Sequence, residues 1–160
     1  GRTSGMIAGK FDGESGYGLG INTQGRAEFF IAAAGQRYSV ASPMPVHDGK
    51  WHHVIGEIDR DTGRMALYLD GQRVAETTAA LSPETSIDTT ADFVVGQSSN
   101  GAAGFVGDLD FLRVCRGTIA DAHTSIEELY TWQTDGPFRY DFLGRPAKGQ
   151  GRDAGALELQ

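Results

Sequence analysis

The chain has 160 residues, of which 39% are hydrophobic and 22% are charged, as is typical of one globular domain with its own core. A formal net charge of −7 argues against a nucleic-acid partner, because phosphate binding requires a clustered basic face. No apolar run approaches the roughly 18 residues that a membrane-spanning helix needs, so we expect no such helix. Because the chain begins at Gly1 without an initiator methionine, we expect a processed product or a fragment.

Glycine content and short apolar runs indicate β-structure in the first part of the chain. The 23 glycines are about twice the average usage of about 7%, which favours an all-β fold with many tight turns. In the run Tyr17–Ile21, large residues alternate with glycines, which predicts close approach by a neighbouring layer or a bend. The strands predicted here are Met6–Phe11, Tyr17–Ile21, Arg26–Ala33 and Gln36–Val40.

The centre of the chain contains the clearest strand and hairpin pattern. The stretch Asp48–Ile58 is followed, after a turn at Asp61–Gly63, by Met65–Val74. Apolar and polar positions alternate along both stretches, as expected for strands that bury one face. Asp70-Gly71 is a two-residue hairpin signal, because a type I′ turn needs positive φ at both central positions. We therefore predict a strand followed by a β-hairpin.

The second half of the chain predicts two more strands and an interposed loop. Ala91–Gly96 has the composition of a strand, residues 97–104 form a glycine-rich loop, and Phe105–Val114 is a long alternating strand. The single cysteine, Cys115, directly follows that strand-like run and is expected to be a buried structural thiol.

One helix is predicted, from about Ser125 to Gln133. Either Thr124 with Glu127 or Ser125 with Glu128 has the spacing of a capping box, and apolar residues then recur at helical spacing. The Asp-Gly-Pro sequence that follows Thr134 is expected to end this helix.

About eight or nine strands at a spacing of about 8–12 residues predict an all-β, two-sheet antiparallel jelly-roll sandwich with one short C-terminal helix. The Trp-His-His-Val of Trp51–Val54 and the Leu-Tyr-Leu-Asp-Gly of Leu67–Gly71 resemble the centre of laminin-G-like, concanavalin A-like lectin and glucanase domains. Gly107–Val114 resembles a further segment of that family. We expect a laminin-G-like domain at residues 1–133 and an extended C-terminal segment at residues 134–160.

The resemblance also indicates what to expect at the N-terminal side. Family members normally begin with one or two strands before the equivalent of Met6, and this chain appears without them. Open sheet edges invite pairing with another segment. We therefore expect a protein partner, a preceding segment or a swapped copy to supply N-terminal strands. A bare, solvated Met6–Phe11 edge in an isolated monomer would count against that expectation.

No catalytic motif is recognisable in the sequence. We interpret Trp51, His52 and His53 as packing and hairpin residues, because adjacent strand residues face opposite ways and cannot chelate one ion together. Glu57–Asp59 and Asp108–Asp110 each place two carboxylates on one strand face. Neither completes the carboxylate pair of a glycosidase, and a solvated face or a metal site explains them better. We therefore expect no enzymatic activity.

A calcium site is predicted at Asp108 and Asp110. Both carboxylates project to one side of a predicted strand, after a glycine-rich loop that can offer backbone carbonyls as further oxygen ligands. The resemblance also implies calcium, and the family's aspartate in this segment matches Asp110. The alternative is an aspartate hydrogen-bonded to loop amides.

Sugar-binding sandwiches use exposed aromatic faces together with polar groups that bond to hydroxyls. The ligand-binding candidates of this pattern are Tyr17, Arg37, His47 and Asn100. Tyr38 is adjacent to Arg37, so only one of the two can face a shared groove. Trp132 is interpreted as a core anchor.

The resemblance implies a non-catalytic carbohydrate-binding or adhesion module of a larger extracellular or cell-surface bacterial protein. Its partner would be a polysaccharide or glycan. The alternatives are a structural or assembly domain that packs on another domain or chain, and an accessory piece of a polysaccharide-active enzyme.

Overall fold

The computed structural model describes residues 4–98, 101, 104–121 and 125–135. The predicted ligand residue Asn100 and the segment 136–160 lie outside these ranges. The described elements are β1 (Gly5–Phe11), β2 (Gly16–Ile21), β3 (Ala27–Ala33), β4 (Gln36–Ala41), β5 (Val54–Ile58), β6 (Arg64–Leu69), β7 (Gln72–Thr78), β8 (Val94–Val95) and α1 (Ile126–Asp135).

The strands form two antiparallel sheets. The larger sheet has the order β4-β3-β2-β1-β8, and the smaller sheet has the order β5-β6-β7. The predicted two-sheet, all-β sandwich with one short helix is confirmed. Among the described residues, no helix is long and apolar enough to cross a membrane.

The core lies between the two sheets and consists of alternate residues from facing strands. Phe29 and Ile31 of β3 pack with Met65 and Leu67 of β6, and the last three of these side chains are fully buried. Gly56 of β5 lies directly on the ring of Phe29, where a Cβ would overlap the ring atoms. The alternation predicted along the central strands therefore places their apolar side chains in this core.

The glycine face of β2 accommodates side chains on the outer side of the larger sheet. A Cβ on Gly18 would lie 2.6 Å from the Phe30 ring and 2.7 Å from the Met6 sulfur. Phe30 is only 3% exposed although it points away from the inter-sheet core, and Phe11 meets its ring edge-on at 5.2 Å. The glycines therefore make room for side chains of the two adjacent strands, β1 and β3, rather than for a neighbouring layer as predicted.

The central hairpin turns at Asp70 and Gly71, as predicted. Their φ angles are 50° and 79°, both in the left-handed region that a type I′ turn requires. The turn joins β6 to β7, and Gly71 lies under the side chain of Tyr130, which approaches its hypothetical Cβ position to 3.1 Å. The hairpin thus supports the start of the C-terminal helix.

Helix α1 begins with a capping box formed by Ser125 and Glu128. The Ser125 N–H donates to Glu128 Oε2 at 2.8 Å, and the Glu128 N–H donates to Ser125 Oγ at 3.0 Å. The predicted pair Ser125 and Glu128 is confirmed, whereas Thr124 of the alternative pair lies outside the described residues. The helix runs to Asp135, beyond the predicted end at Gln133 and past the predicted domain boundary at residue 133.

The prediction of a long strand at Phe105–Val114 is wrong. No residue of that run belongs to a strand, although Gly104 forms an isolated bridge with Met6. The run beside it, Ala91–Gly96, is a strand only at Val94–Val95. A strand needs a neighbour to pair its N–H and C=O groups along its length. Among the described residues, β1 meets the start of the run, where Gly5 lies against Gly104 and Phe105, but no ladder continues along it.

The prediction that Cys115 is buried is also wrong. Cys115 directly follows Phe105–Val114, which forms no strand. Cys115 is exposed, and Arg113 Nε donates to its sulfur at 2.9 Å. Burial of this thiol would require the layer of structure that the run lacks.

Candidate functional site

Residues 42–53, here called the Trp51 loop, connect the two sheets. The loop leaves β4 at the edge of the larger sheet and enters β5 of the smaller sheet. Ser42 is 1% exposed; its hydroxyl accepts the Ala27 N–H at 3.1 Å and donates to the Met44 carbonyl at 2.7 Å. The Val46 N–H donates to the Gly25 carbonyl at 2.8 Å. These bonds attach the first half of the loop to the larger sheet.

His47, a predicted ligand residue, lies in this attached half. It is exposed, and its ring lies on Gly25, where a Cβ would overlap the imidazole. Gly25 has a φ of 74°, in the left-handed region that favours glycine. The His47 ring also fills the space that a side chain at this position would need. His47 is therefore held at the surface against a turn of the larger sheet.

The second half of the loop is attached to the hairpin through Asp70. His52 Nδ1 lies 2.7 Å from Asp70 Oδ2, and the His53 N–H donates to Asp70 Oδ1 at 2.9 Å. On its other side, His52 Nε2 lies 3.0 Å from Asp48 Oδ1. One imidazole therefore joins the loop to the hairpin turn, and both of its nitrogens have carboxylate partners.

The two adjacent histidines have opposite ionisation tendencies. Burial lowers the pKa of His52, but the hydrogen bonds to Asp70 and Asp48 outweigh burial, and its pKa lies above the usual value. Burial lowers the pKa of His53, and the charge of Asp70 opposes that only partly. The pKa of Asp48 is lowered, first by the hydrogen bond from the Lys50 N–H and second by the hydrogen bond with His52. His52 thus favours the charged form and His53 the neutral form.

The most exposed aromatic side chain of this region is Trp51. It is 65% exposed, and the neighbouring apolar residue Met44 is 69% exposed. The prediction that Trp51 is a packing residue is wrong, whereas His52 does bind the hairpin and His53 packs against Tyr130 at 5.9 Å between ring centroids. Since the loop is fixed at both ends, the indole is presented to solvent from an ordered base.

Tyr17 and Arg37 lie on opposite faces of the larger sheet. Tyr17 contacts the inter-sheet core, and its ring lies 6.4 Å from that of Phe93. The Arg37 guanidinium lies on the outer face, 3.7 Å from the Phe30 ring centroid and 3.5 Å from Glu28. The structure therefore does not bring these two predicted ligand residues together, and neither belongs to the Trp51 loop.

Asp108 and Asp110 are both exposed and lie in the run Phe105–Val114, which forms no strand. In the part of the chain that the structure describes, no group of three or more His, Cys, Asp or Glu side chains could hold a metal ion. Calcium at Asp108 and Asp110 stays a prediction, which would need further oxygen ligands such as backbone carbonyls beside the two carboxylates.

Sequence reasoning missed the organising role of Glu57. It is only 6% exposed, rather than on a solvated face, and it accepts hydrogen bonds from Arg64 at 2.7 Å and from Tyr68 at 3.3 Å. Its second oxygen accepts the Ile119 N–H at 2.7 Å. Glu57 thereby attaches the segment around Ile119, which follows the run Phe105–Val114, to strand β5. Glu57 lies opposite Ala66, so Arg64, two residues before Ala66, is its diagonal neighbour on the same sheet face. This opposite-charge pair was the available signal.

Asp59, the other carboxylate of that pair, has a local role. It accepts the Asp61 N–H at 2.9 Å and the Thr62 hydroxyl at 2.7 Å in the turn before β6. These bonds lower the pKa of Asp59, the Thr62 hydroxyl first among them. Glu57 and Asp59 thus have separate structural partners and do not face a common substrate position.

The two antiparallel sheets and the connecting loop define a β-sandwich domain of the jelly-roll class. A family model described as Laminin_G_3, of the concanavalin A-like lectin/glucanases superfamily, matches residues 1–124, so the chain belongs to that family. A comparison with curated proteins gives no match.

Two solved structures are similar at low sequence identity. The native heptameric SAP-like pentraxin from Limulus polyphemus is 18% identical over 48% of this chain and 38% of that chain, with a TM-score of 0.36. An S-layer domain-containing protein from Clostridium thermocellum ATCC 27405 is 20% identical over 81% of this chain and 64% of that chain, with a TM-score of 0.34. This chain therefore spans less than two thirds of either structure.

Proposed function

We propose that the domain is a non-catalytic glycan-binding module and that the Trp51 loop is its recognition element. The observation that supports this most is the 65% exposed Trp51 on a loop bonded to both sheets. An indole face stacks on the apolar face of a sugar ring, and nearby polar side chains bond to its hydroxyl groups. His47 and Lys50, exposed on the same loop, are the proposed polar partners.

The attachment of the loop favours binding energetically. A loop that is already ordered loses less conformational entropy when a ligand binds. The bonds of Ser42 and Val46 to one sheet and of His52 to the other hold the backbone on either side of the exposed residues. A module of this kind, in an extracellular or cell-surface protein, would act by raising the local concentration of its polysaccharide.

Affinity electrophoresis in gels containing single polysaccharides, preceded by a glycan array, tests this proposal. Trp51→Ala is expected to weaken retention about 2- to 10-fold, which corresponds to the roughly 0.5–1.5 kcal/mol of an aromatic contact. Met44→Ala is the matched control, because Met44 is an equally exposed apolar side chain of the same loop. Absence of retention on every polysaccharide, or equal loss in both variants, would overturn the proposal.

The same gels test the other predicted residues. Three further variants test whether the other predicted ligand residues contribute to retention: Arg37→Ala, Tyr17→Phe and Asn100→Ala. Retention in the presence of EDTA tests the calcium prediction. Retention that EDTA removes, and that Asp108→Asn or Asp110→Asn also removes, would support a calcium site. Unchanged retention in EDTA would count against it.

A second function, assembly with another domain or chain, is favoured by a different observation. Five large apolar side chains of the run Phe105–Val114 are between 40% and 76% exposed: Val106, Leu109, Phe111, Leu112 and Val114. An apolar surface of this kind commonly marks a protein interface. Size-exclusion chromatography and sedimentation of the isolated chain test it. A stable monomer with no tendency to associate would count against an obligatory partner.

A further inference from the structure

We propose that the outer side of β5 accepts one added β-strand from another polypeptide segment, and that this strand covers part of the larger sheet. The proposal deepens the assembly function above and is independent of glycan binding. The outer side of β5 is called the acceptor edge below. The proposal rests on the hydrogen-bonding pattern of β5, on the unequal size of the two sheets, and on the exposed run after Gly104.

The backbone of β5 presents an ordered row of outward groups. Within the described residues, β5 pairs with β6 on one side and with no strand on the other. The Asp70 N–H donates to the His53 carbonyl, and the Asp59 N–H donates to the Arg64 carbonyl, both at 2.9 Å. Residues directed at β6 alternate along an antiparallel strand, so the odd-numbered positions from 53 to 59 face β6.

It follows that the even-numbered positions face away from β6. The N–H and C=O groups of Val54, Gly56 and Ile58 point to the acceptor edge. Such a row is a template for one more strand. The edge belongs to a five-residue strand, so an extended segment of about five to seven residues would match it in length.

The larger sheet extends beyond the acceptor edge. β5 packs over β3, while β6 and β7 pack over β4. The strands β2, β1 and β8 therefore continue past β5, and this part of the larger sheet is called the overhang below. Its inward side includes Leu19, which is only partly buried, and Phe93 and Val95, which are 39% and 48% exposed. Among the described strands, the smaller sheet ends at β5, so these side chains lie at or beyond its edge.

These features define the side chains of the partner strand. A strand added at β5 would lie over the overhang, with alternate side chains directed at Leu19 and Tyr17 of β2. Those side chains should be apolar, because they would complete an apolar layer. The intervening side chains would face the outer side of the smaller sheet, where Glu57 and Ile119 meet.

The exposed run supports the same position. It is attached at one end by the Phe105 N–H, which donates to the Gly96 carbonyl next to β8 at 2.8 Å, and at the other by Ile119 on Glu57 of β5. The run thus passes from the edge of the larger sheet to the edge of the smaller one. Its exposed apolar side chains lie between these two attachments, next to the added strand.

The overhang also excludes a second copy paired edge to edge through β5. In such a dimer the two smaller sheets would form one continuous layer. Beneath the junction, the overhang of each copy would occupy the space of the partner's β3 and β4, because neighbouring strands are about 4.8 Å apart in both layers. A single extended segment avoids this overlap. The occupant is therefore a strand with alternating apolar side chains and not the edge of a whole domain.

A tethered probe strand tests the proposal. The full chain carries, at its N-terminus, a seven-residue segment of alternating valine and threonine and a Gly/Ser linker of about twelve residues, which gives an effective concentration in the millimolar range. The matched control carries proline in place of the central valine, because proline cannot continue a ladder. Amide exchange is followed residue by residue by NMR.

In the untethered chain, the amides of Val54, Gly56 and Ile58 should exchange faster than those of Ile55 and Glu57. The probe strand should slow exchange of the three outward amides at least tenfold, and the proline control should leave them unchanged. Equal exchange in the two fusions would overturn the proposal. Slowing in both fusions, or a dimer that protects these amides without a probe, would overturn it too.

The readout separates this inference from the assembly function on which it rests. If the chain associates and only amides of the run after Gly104 become protected, assembly holds and the acceptor edge is wrong. If the chain stays monomeric and the probe protects the three outward amides, the acceptor edge holds.

Discussion

Strand β3 and the run Phe105–Val114 are both rich in large apolar residues but have opposite environments. In β3, Phe29 and Ile31 point into the core and have paired neighbours on both sides. In the run, Leu112 is 42% exposed and no residue belongs to a strand. The difference shows that apolar composition makes a segment able to be buried, whereas neighbouring strands decide whether a ladder forms.

The largest expected effect distinguishes a leucine in each region. Leu67→Ala should lower the free energy of unfolding by about 2–5 kcal/mol, because it leaves a cavity in a fully buried site. Leu112→Ala should lower it by less than about 0.5 kcal/mol, because that side chain is already exposed. Urea denaturation of both variants measures this. Equal losses would contradict the contrast between the two regions.

A smaller effect is expected at Glu57, which joins strand β5 to Ile119 in the chain that follows the run. Glu57→Gln should cost about 1–3 kcal/mol, because the buried carboxylate bonds to Arg64, Tyr68 and the Ile119 N–H. The amide of Ile119 should exchange faster in this variant while amides of β3 keep their protection. Glu76→Gln is the control, since Glu76 also bonds to Arg64 but is exposed. A loss of protection throughout the chain would contradict a local attachment.

The smallest effect concerns pH and the His52 bonds. The pKa of His52 is raised in the folded state, so its contribution is fully present below the unfolded value of about 6.5 and is lost as pH rises through the folded value. We expect less than about 1 kcal/mol, because both carboxylate partners are partly exposed. His53 has the opposite sign, since its pKa is lowered.

The His52 contribution is isolated by comparing the wild type with His52→Asn. The difference in unfolding free energy should be larger near pH 5.5 than near pH 8.5, values about one to two units on either side of the usual histidine pKa. Chemical denaturation at the two pH values measures it. A difference that grows with pH would contradict a raised pKa.

Most strands were predictable because their signals are local. Sequence patterns placed β1 to β4 and β6 close to their observed bounds, whereas β5 begins later than predicted and β7 ends later. Asp70-Gly71 identified the hairpin turn, and the Ser125 and Glu128 spacing identified the helix start. Each of these signals acts over a few residues of backbone.

The candidate site was less predictable because it depends on distant contacts. Only His47 of the predicted ligand residues lies in the Trp51 loop. The exposure of Trp51 depends on how the loop crosses between sheets, and the burial of Glu57 depends on Ile119. A bare Met6–Phe11 edge would have counted against supplied strands, and β1 is not bare, because it pairs with β2 and with the short β8. Among the described strands, β5 is the edge of the smaller sheet that overlooks the overhang.

By itself, the sequence determined the fold class, the hairpin, the helix cap and the inward faces of the strands, because turn chemistry and side-chain periodicity are properties of neighbouring residues. Only the tertiary structure decided that Phe105–Val114 is not a strand, that Trp51 is exposed and that Glu57 is buried. The reason is that pairing and burial are set by what lies opposite a residue, and those neighbours are far away in the chain.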